Sequence, residues 1–283
     1  MARKYWYSLF FLFSFLIKLN SQYPISNFGY HNSFYFNPAM AGIDGKRKIT
    51  LNYHTNVEEK YGLISYEHPS KNLDHKIGLF CKVSLDKKWV SNNIGLAYNY
   101  TFQLTELSTI TSGFQFTQFY LSRESSAASL VERDWQFYPS LDFGIVLTID
   151  RIKLGASLFN LLQKAEEFDN SFNQNETPAF LQTKSLNMSL SYDFKIRKDL
   201  DFGSSFLFNK RIKNEETVDF SGHFIFLKSL MLGGTWRLQN GNFPKLFFGF
   251  QRSDFLTFQI SFNTVKQGKE IPRGGELILQ CNL

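Results

Sequence analysis

The sequence predicts an all-β chain closed into an outer-membrane antiparallel barrel of about fourteen strands, and three observations carry that expectation. Of 283 residues, 32 are Phe and 13 Tyr against 4 Met and 7 Pro, a balance that favours pleated sheet over helix. Apolar and polar residues alternate strictly over segments of about ten residues, longer than a soluble sandwich usually needs. The connections between these segments alternate between short and long, the asymmetry of a barrel with short periplasmic turns and longer outer loops.

The chain opens with Ala2-Arg3-Lys4 and an almost continuous apolar and aromatic run over 5–19, ending in Asn20-Ser21. This reads as a secretory signal peptide over 1–21, removed near Ser21/Gln22; Ser14 and Lys18 interrupt the run, which is short for a spanning helix. Beyond the first twenty residues nothing is apolar enough for long enough to cross a bilayer as a helix. An N-terminal segment follows over 22–47, and the barrel over 48–283.

Strands are expected at 48–55, 61–68, 76–85, 91–104, 107–121, 138–149, 151–160, 184–195, 200–209, 217–227, 230–238, 245–251, 255–263 and 276–283. The apolar rows are explicit in Ile94, Leu96, Tyr98, Tyr100 and Phe102, and again in Leu186, Met188, Leu190, Tyr192 and Phe194. The opposite rows carry Asn93, Asn99, Thr101, Asn187, Ser189, Ser191, Asp219 and Ser221. Lipid offers no hydrogen-bond partner, so a sheet crosses a bilayer only when closed, apolar outside and wet inside. The short connections are 105–106, 150, 196–199, 228–229 and 252–254, with 69–75 longer; the long ones are 122–137, 161–183, 210–216 and 264–275. Phe114, Phe116 and Phe119 with Tyr120 point to a filled interior or an apolar groove rather than an open channel.

Little in the chain suggests chemistry. His31, His54, His68, His75 and His223 show no ligand spacing, so no metal is expected, and neither a nucleophile elbow nor a phosphate-cradling loop occurs, so no cofactor is expected. Cys81 and Cys281 fall in apolar rows and read as small wall residues rather than a disulfide framework. Glycines 78, 95, 113, 144, 155, 203, 222 and 249 sit inside strands and read as relief of curvature and crowding. The net charge of +6 and pI near 9.1 raise a nucleic-acid partner, but the basic clusters Lys46-Arg47-Lys48 and Lys210-Arg211-Ile212-Lys213 sit at segment ends and read as solvated or headgroup-facing. Trp89, Trp135, Tyr138, Trp236 and Phe243, at strand ends, suit an interfacial girdle. The loop patches Glu166-Glu167-Phe168-Asp169 and Glu132-Arg133-Asp134-Trp135 read equally as contact surface and as solvated loop.

Ahead of the first strand stands Asn37-Pro38-Ala39-Met40-Ala41-Gly42, then Lys46-Arg47-Lys48 and Leu51-Asn52-Tyr53. Pro38 fixes its own φ and biases Asn37 to an extended shape, and Gly42 suits a left-handed turn. An elbow steering the chain into strand one and a docking site both fit these residues. The motif, through Asn37, Pro38, Ala39, Ala41 and Gly42, resembles the start of PorP/SprF family membrane proteins. The strand exit Gly155-Ala156-Ser157-Leu158-Phe159-Asn160-Leu161 and the closing Pro272-Arg273-Gly274-Gly275-Glu276-Leu277 are family-like as well. Met40 departs from the usual aromatic, and the chain closes on Cys281-Asn282-Leu283 rather than on an aromatic residue. The resemblance implies a non-enzymatic component of type IX secretion in the outer membrane of a Gram-negative bacterium. It further implies support for export or surface attachment of C-terminal-domain cargo such as gliding adhesins, with outer-membrane lipid, secretion machinery and a secreted surface protein as partners. A porin or substrate-specific channel shares the alternation, and an outer-membrane lipase is a remote rival.

Overall fold

The structure, a computed structural model, describes residues 33–55, 59–86, 89–123, 136–162, 184–211, 216–238, 245–252, 255–263 and 274–283. The expected signal peptide, Trp135, Phe243 and both loop patches lie outside these residues. Fourteen strands form: β1 (Lys48–Thr55), β2 (Glu59–Pro69), β3 (His75–Asp86), β4 (Trp89–Thr105), β5 (Ser108–Arg123), β6 (Gln136–Ile149), β7 (Ile152–Phe159), β8 (Ser185–Arg197), β9 (Leu200–Arg211), β10 (Glu216–Phe226), β11 (Leu230–Arg237), β12 (Lys245–Arg252), β13 (Leu256–Asn263) and β14 (Gly275–Asn282). Each expected strand matches an observed one within about two residues at either end.

Every strand pairs antiparallel with its chain neighbours, and β1 pairs with β14 from Lys48↔Asn282 to Thr55↔Gly275, which closes the barrel. Side chains reinforce that seam: Glu276 on β14 accepts from Asn52 Nδ2 on β1 at 2.7 Å and from Lys245 Nζ on β12 at 3.0 Å. Closure leaves no strand edge unpaired, the condition for a sheet in lipid.

The pleat sorts the two rows as expected. On β1, Lys48, Thr50, Asn52 and His54 are buried inside, while Leu51 and Tyr53 are 43% and 51% exposed on the outer wall. On β4, Ile94, Leu96 and Phe102 face outward with about half their surface free, and Asn93 and Asn99 are buried. Phe114 and Phe116 also face outward, so they do not fill the lumen; they share the parity of their cross-strand partners Tyr98 and Leu96. Cys81 and Cys281 are free and half-buried.

At one end of the barrel every connection is short, five residues at most, whereas the other end carries the long ones alongside the two-residue link from β3 to β4. Two residues join β4 to β5, β6 to β7, and β8 to β9, and three join β10 to β11 and β12 to β13. In the β10–β11 turn Leu227 and Lys228 take φ of 52° and 54°, the left-handed pair of a hairpin turn that follows strand twist. The start of β1 and the end of β14 lie at this same end, the kind of end that faces the periplasm in outer-membrane barrels.

Candidate functional site: a segment seated in the lumen

The apolar core of this barrel lies inside its lumen, around residues 33–47. Phe34, Ala39, Met40 and Ala41 are buried together with the inward-facing Leu63, Phe80, Ala97 and Val146. Phe80 lies against both Phe34 and Tyr35, with ring centroids 5.9 and 5.3 Å away. Burying Phe34 completely contributes about 1.5–3 kcal/mol to holding the segment in place.

Local chemistry shapes the segment before the barrel receives it. Asn37 is extended, at φ −156° and ψ 111°, as a residue before proline must be, and Pro38 opens a 3-10 turn over Pro38–Met40. Asn37 Oδ1 accepts from Ala39 N–H at 3.0 Å and caps that turn. Gly42 and Gly45 take φ of 60° and 70°, conformations that disfavour other side chains, and lead the chain out to β1.

The barrel answers with one continuous cross-strand row. Asn99 on β4 pairs with Gly113 on β5, Gly113 with Gly144 on β6, Gly144 with Ser157 on β7, and Ser157 with Asn187 on β8. Asn99 Nδ2 donates to the carbonyls of Pro38 and Ala41 at 3.3 and 2.7 Å. Ser157 Oγ and Asn187 Nδ2 both donate to the Phe36 carbonyl, at 2.6 and 3.1 Å. Asn209 Nδ2 on β9 in turn donates to Asn187 Oδ1. Between the donors, the two glycines open a groove: a Cβ on Gly113 would sit 2.9 Å from the Ala39 backbone, and one on Gly144 would sit 2.0 Å from Asn37 Oδ1. Asn37 fills that groove and donates Nδ2 to the carbonyls of Ile145 and Ala156 at 3.1 and 3.2 Å. Gly155 and Gly78 widen the seat further, beside Asn37 Nδ2 and beside Ala41 and Phe34.

Charge fixes the end of the segment nearest the short turns. Gly42 N–H donates to Glu67 Oε2 at 2.6 Å, and Lys48 Nζ balances that carboxylate at 2.8 Å. Lys153 on β7 holds Asp44 at 2.8 Å. Partial burial pushes the Asp44 carboxyl up, but Lys153 and Lys48 outweigh it and bring it down to about 2.

The motif residues Asn37, Pro38, Ala39, Ala41 and Gly42 are thus brought together in one seat, and the strand exit supplies two of its walls, Gly155 and Ser157. Asn160, at φ 59°, ends β7 and donates its N–H to Asp142 at 2.8 Å. Asn99, Gly113, Gly144 and Asn187 are the seat residues that sequence reading did not assign, because a cross-strand row becomes visible only once register is known. The in-strand glycines relieve crowding, as expected of them, and the structure shows what they make room for: 78, 113, 144 and 155 admit the segment, whereas Gly95 and Gly203 each lie under an inward ring, Phe80 and His223, of the paired strand. His223, Phe247, Gln259 and Glu276 on the opposite wall are buried. Of the other histidines, His54 stacks on Tyr61 and His75 Nδ1 is 2.7 Å from Tyr98 Oη. No cluster that would hold a metal ion is found among the described residues.

Three solved structures share the architecture. The Ralstonia pickettii toluene transporter TbuX aligns over 88% of this chain and 93% of its own, with TM-score 0.54 and 7% identity. The Acinetobacter baumannii protein Omp33 aligns over 84% and 98%, with TM-score 0.52 and 6% identity. The Pseudomonas putida toluene transporter TodX aligns over 93% and 94%, with TM-score 0.50 and 10% identity. At such identities the likeness is one of fold alone. No curated protein matches the sequence. The family description "type IX secretion system membrane protein PorP/SprF" does match, over residues 19–271, and on that match and this fold the chain belongs to the PorP/SprF family of type IX secretion membrane barrels.

Proposed function

We propose that the protein is a non-enzymatic scaffold that supports export or surface attachment of C-terminal-domain cargo such as adhesins. The long connections between β5 and β6, β7 and β8, and β13 and β14 would hold the secreted partner outside, and the short-turn end would meet secretion machinery in the periplasm. The observation that carries this reading is the occupied lumen. Residues 33–47 are bonded to seven consecutive strands' worth of wall, from Glu67 on β2 to Asn187 on β8, or packed against it, which suits a rigid holder better than a conduit. A porin needs inward rows that stay polar and open.

Affinity purification of the tagged protein from native outer membrane in mild detergent, with mass-spectrometric identification of what co-elutes, tests the proposal. Recovery of type IX machinery or a large surface adhesin is expected. Recovery of the barrel alone overturns it.

A further inference from the structure

We infer that Asp142 is a positioning residue for the long connection from β7 to β8: its buried carboxylate turns the chain out of β7 and fixes where that connection leaves the barrel wall. What this means for a secreted partner rests on the scaffold reading of the long connections. β6 and β7 pair only from Phe143↔Leu158 to Ile149↔Ile152, although β6 begins at Gln136. Asp142 is thus the first inward residue of β6 beyond the shared ladder, at the point where β7 departs. Three elements converge on its carboxylate there. Oδ1 accepts from Asn160 N–H at 2.8 Å and from Ser140 Oγ at 2.9 Å, and Oδ2 accepts from Nε2 of Gln115, its cross-strand partner on β5, at 3.1 Å. Asp142, Ser140 and Gln115 are all almost wholly buried.

The exit is shaped around that carboxylate. Asn160 takes φ 59°, a left-handed conformation that a strand cannot continue and that asparagine tolerates. Its N–H thereby reaches Asp142 where the ladder has just ended, and Leu161 N–H returns to the Leu141 carbonyl at 3.0 Å. The side-chain amide of Asn160 lies 3.1 Å from Ser140 Oγ. Ser157, three residues earlier, is bonded to the Phe36 carbonyl of the seated segment. The end of β7 is therefore held by the lumen segment at Ser157 and by Asp142 at Asn160. A carboxylate suits this place because it only accepts, so all three donors can close on it, whereas an amide would turn its own N–H groups toward one of them. Those partners are neutral donors, and a buried charge held by them is tolerated only while they stay in place, which makes release of the exit costly. An exit fixed in advance also loses little order when a partner binds to the connection beyond it.

The test uses the purified full chain in phosphatidylcholine nanodiscs, carrying Cys81→Ser and Cys281→Ser, with spin labels on introduced cysteine pairs read by pulsed electron–electron double resonance. Leu162→Cys with Leu246→Cys reports the exit against β12, and Met188→Cys with Leu246→Cys reports the wall alone; all three side chains are exposed. Asp142→Asn is expected to broaden the exit distance distribution by about twofold or more and to leave the wall distribution unchanged. Ser140→Ala, which removes one donor and keeps the charge, is expected to broaden the exit distribution less. Both variants should retain the heat-modifiable gel mobility of a folded barrel. An unchanged exit distribution in the folded variants overturns the inference. Equal broadening of both pairs also overturns it, by making Asp142 a support of the whole wall. Co-purification of a secreted surface protein with the native chain, without broadening at the exit, defeats the clamp alone, whereas broadening without a co-purified partner defeats the scaffold alone.

Discussion

Asn37 occupies the space that a side chain on residue 144 would need: a Cβ there would lie 2.0 Å from Asn37 Oδ1. The lumen segment and the wall are therefore complementary at a single atom, and the fit depends on β6 presenting glycine at the inward position where β5 presents Gly113 and β7 presents Ser157.

Gly144→Val is expected to expel Asn37 from its groove while leaving the β6 ladder intact, since valine suits a strand and points into the lumen. The expected cost is about 1–3 kcal/mol for overfilling a packed site. Limited proteolysis within residues 33–47, alongside the gel-mobility assay for the folded barrel, separates undocking from unfolding.

Asn37→Ala removes the turn cap and both bonds to the β6 and β7 carbonyls. A capping loss alone costs about 1 kcal/mol, and the stranded donors and acceptors add to it. In the double variant with Gly144→Ala the two costs should fall short of additive, because the alanine at 37 vacates the space that the new Cβ enters. Denaturant unfolding of the four proteins measures the coupling.

How much of this was legible in the sequence differs between wall and lumen. Strand β8 announces itself because Leu186, Met188, Leu190 and Tyr192 alternate locally, and period two needs no knowledge of neighbours. The turn at Asp150 is equally local, since aspartate tolerates the left-handed φ of 51° found there. The row Asn99, Gly113, Gly144, Ser157 and Asn187 is spread over 89 positions of sequence and exists only through pairing, so each member looks like an ordinary inward polar or small residue. Phe114 faces lipid although its bulk suggests filling, because its parity is set by its place opposite Tyr98, which register alone supplies.

Asp44 gives the seat a pH dependence. Its carboxyl falls from 3.8 to about 2 in the folded chain, so its contribution to docking is fully present above about pH 4 and is lost as pH drops through about 2. Because the side chain is half exposed, the effect is modest. Protease sensitivity of residues 33–47 should rise across that window in the native protein, and Asp44→Asn should raise it at neutral pH while flattening the acid response.

The β10–β11 turn is open to improvement. Lys228 sits at φ 54° without being glycine, a conformation that costs a β-carbon energy. Lys228→Gly is expected to stabilise the barrel by about 0.5–1 kcal/mol, read as a higher midpoint of denaturant unfolding with an unchanged slope.

The central claim is that the chain closes its own lumen, and single-channel recording in planar bilayers tests it most directly. The purified native protein is expected to show no sustained open-pore conductance, while folded Gly144→Val, with the segment displaced, conducts. Steady porin-like conductance from the native protein, unchanged by Gly144→Val, would contradict the account.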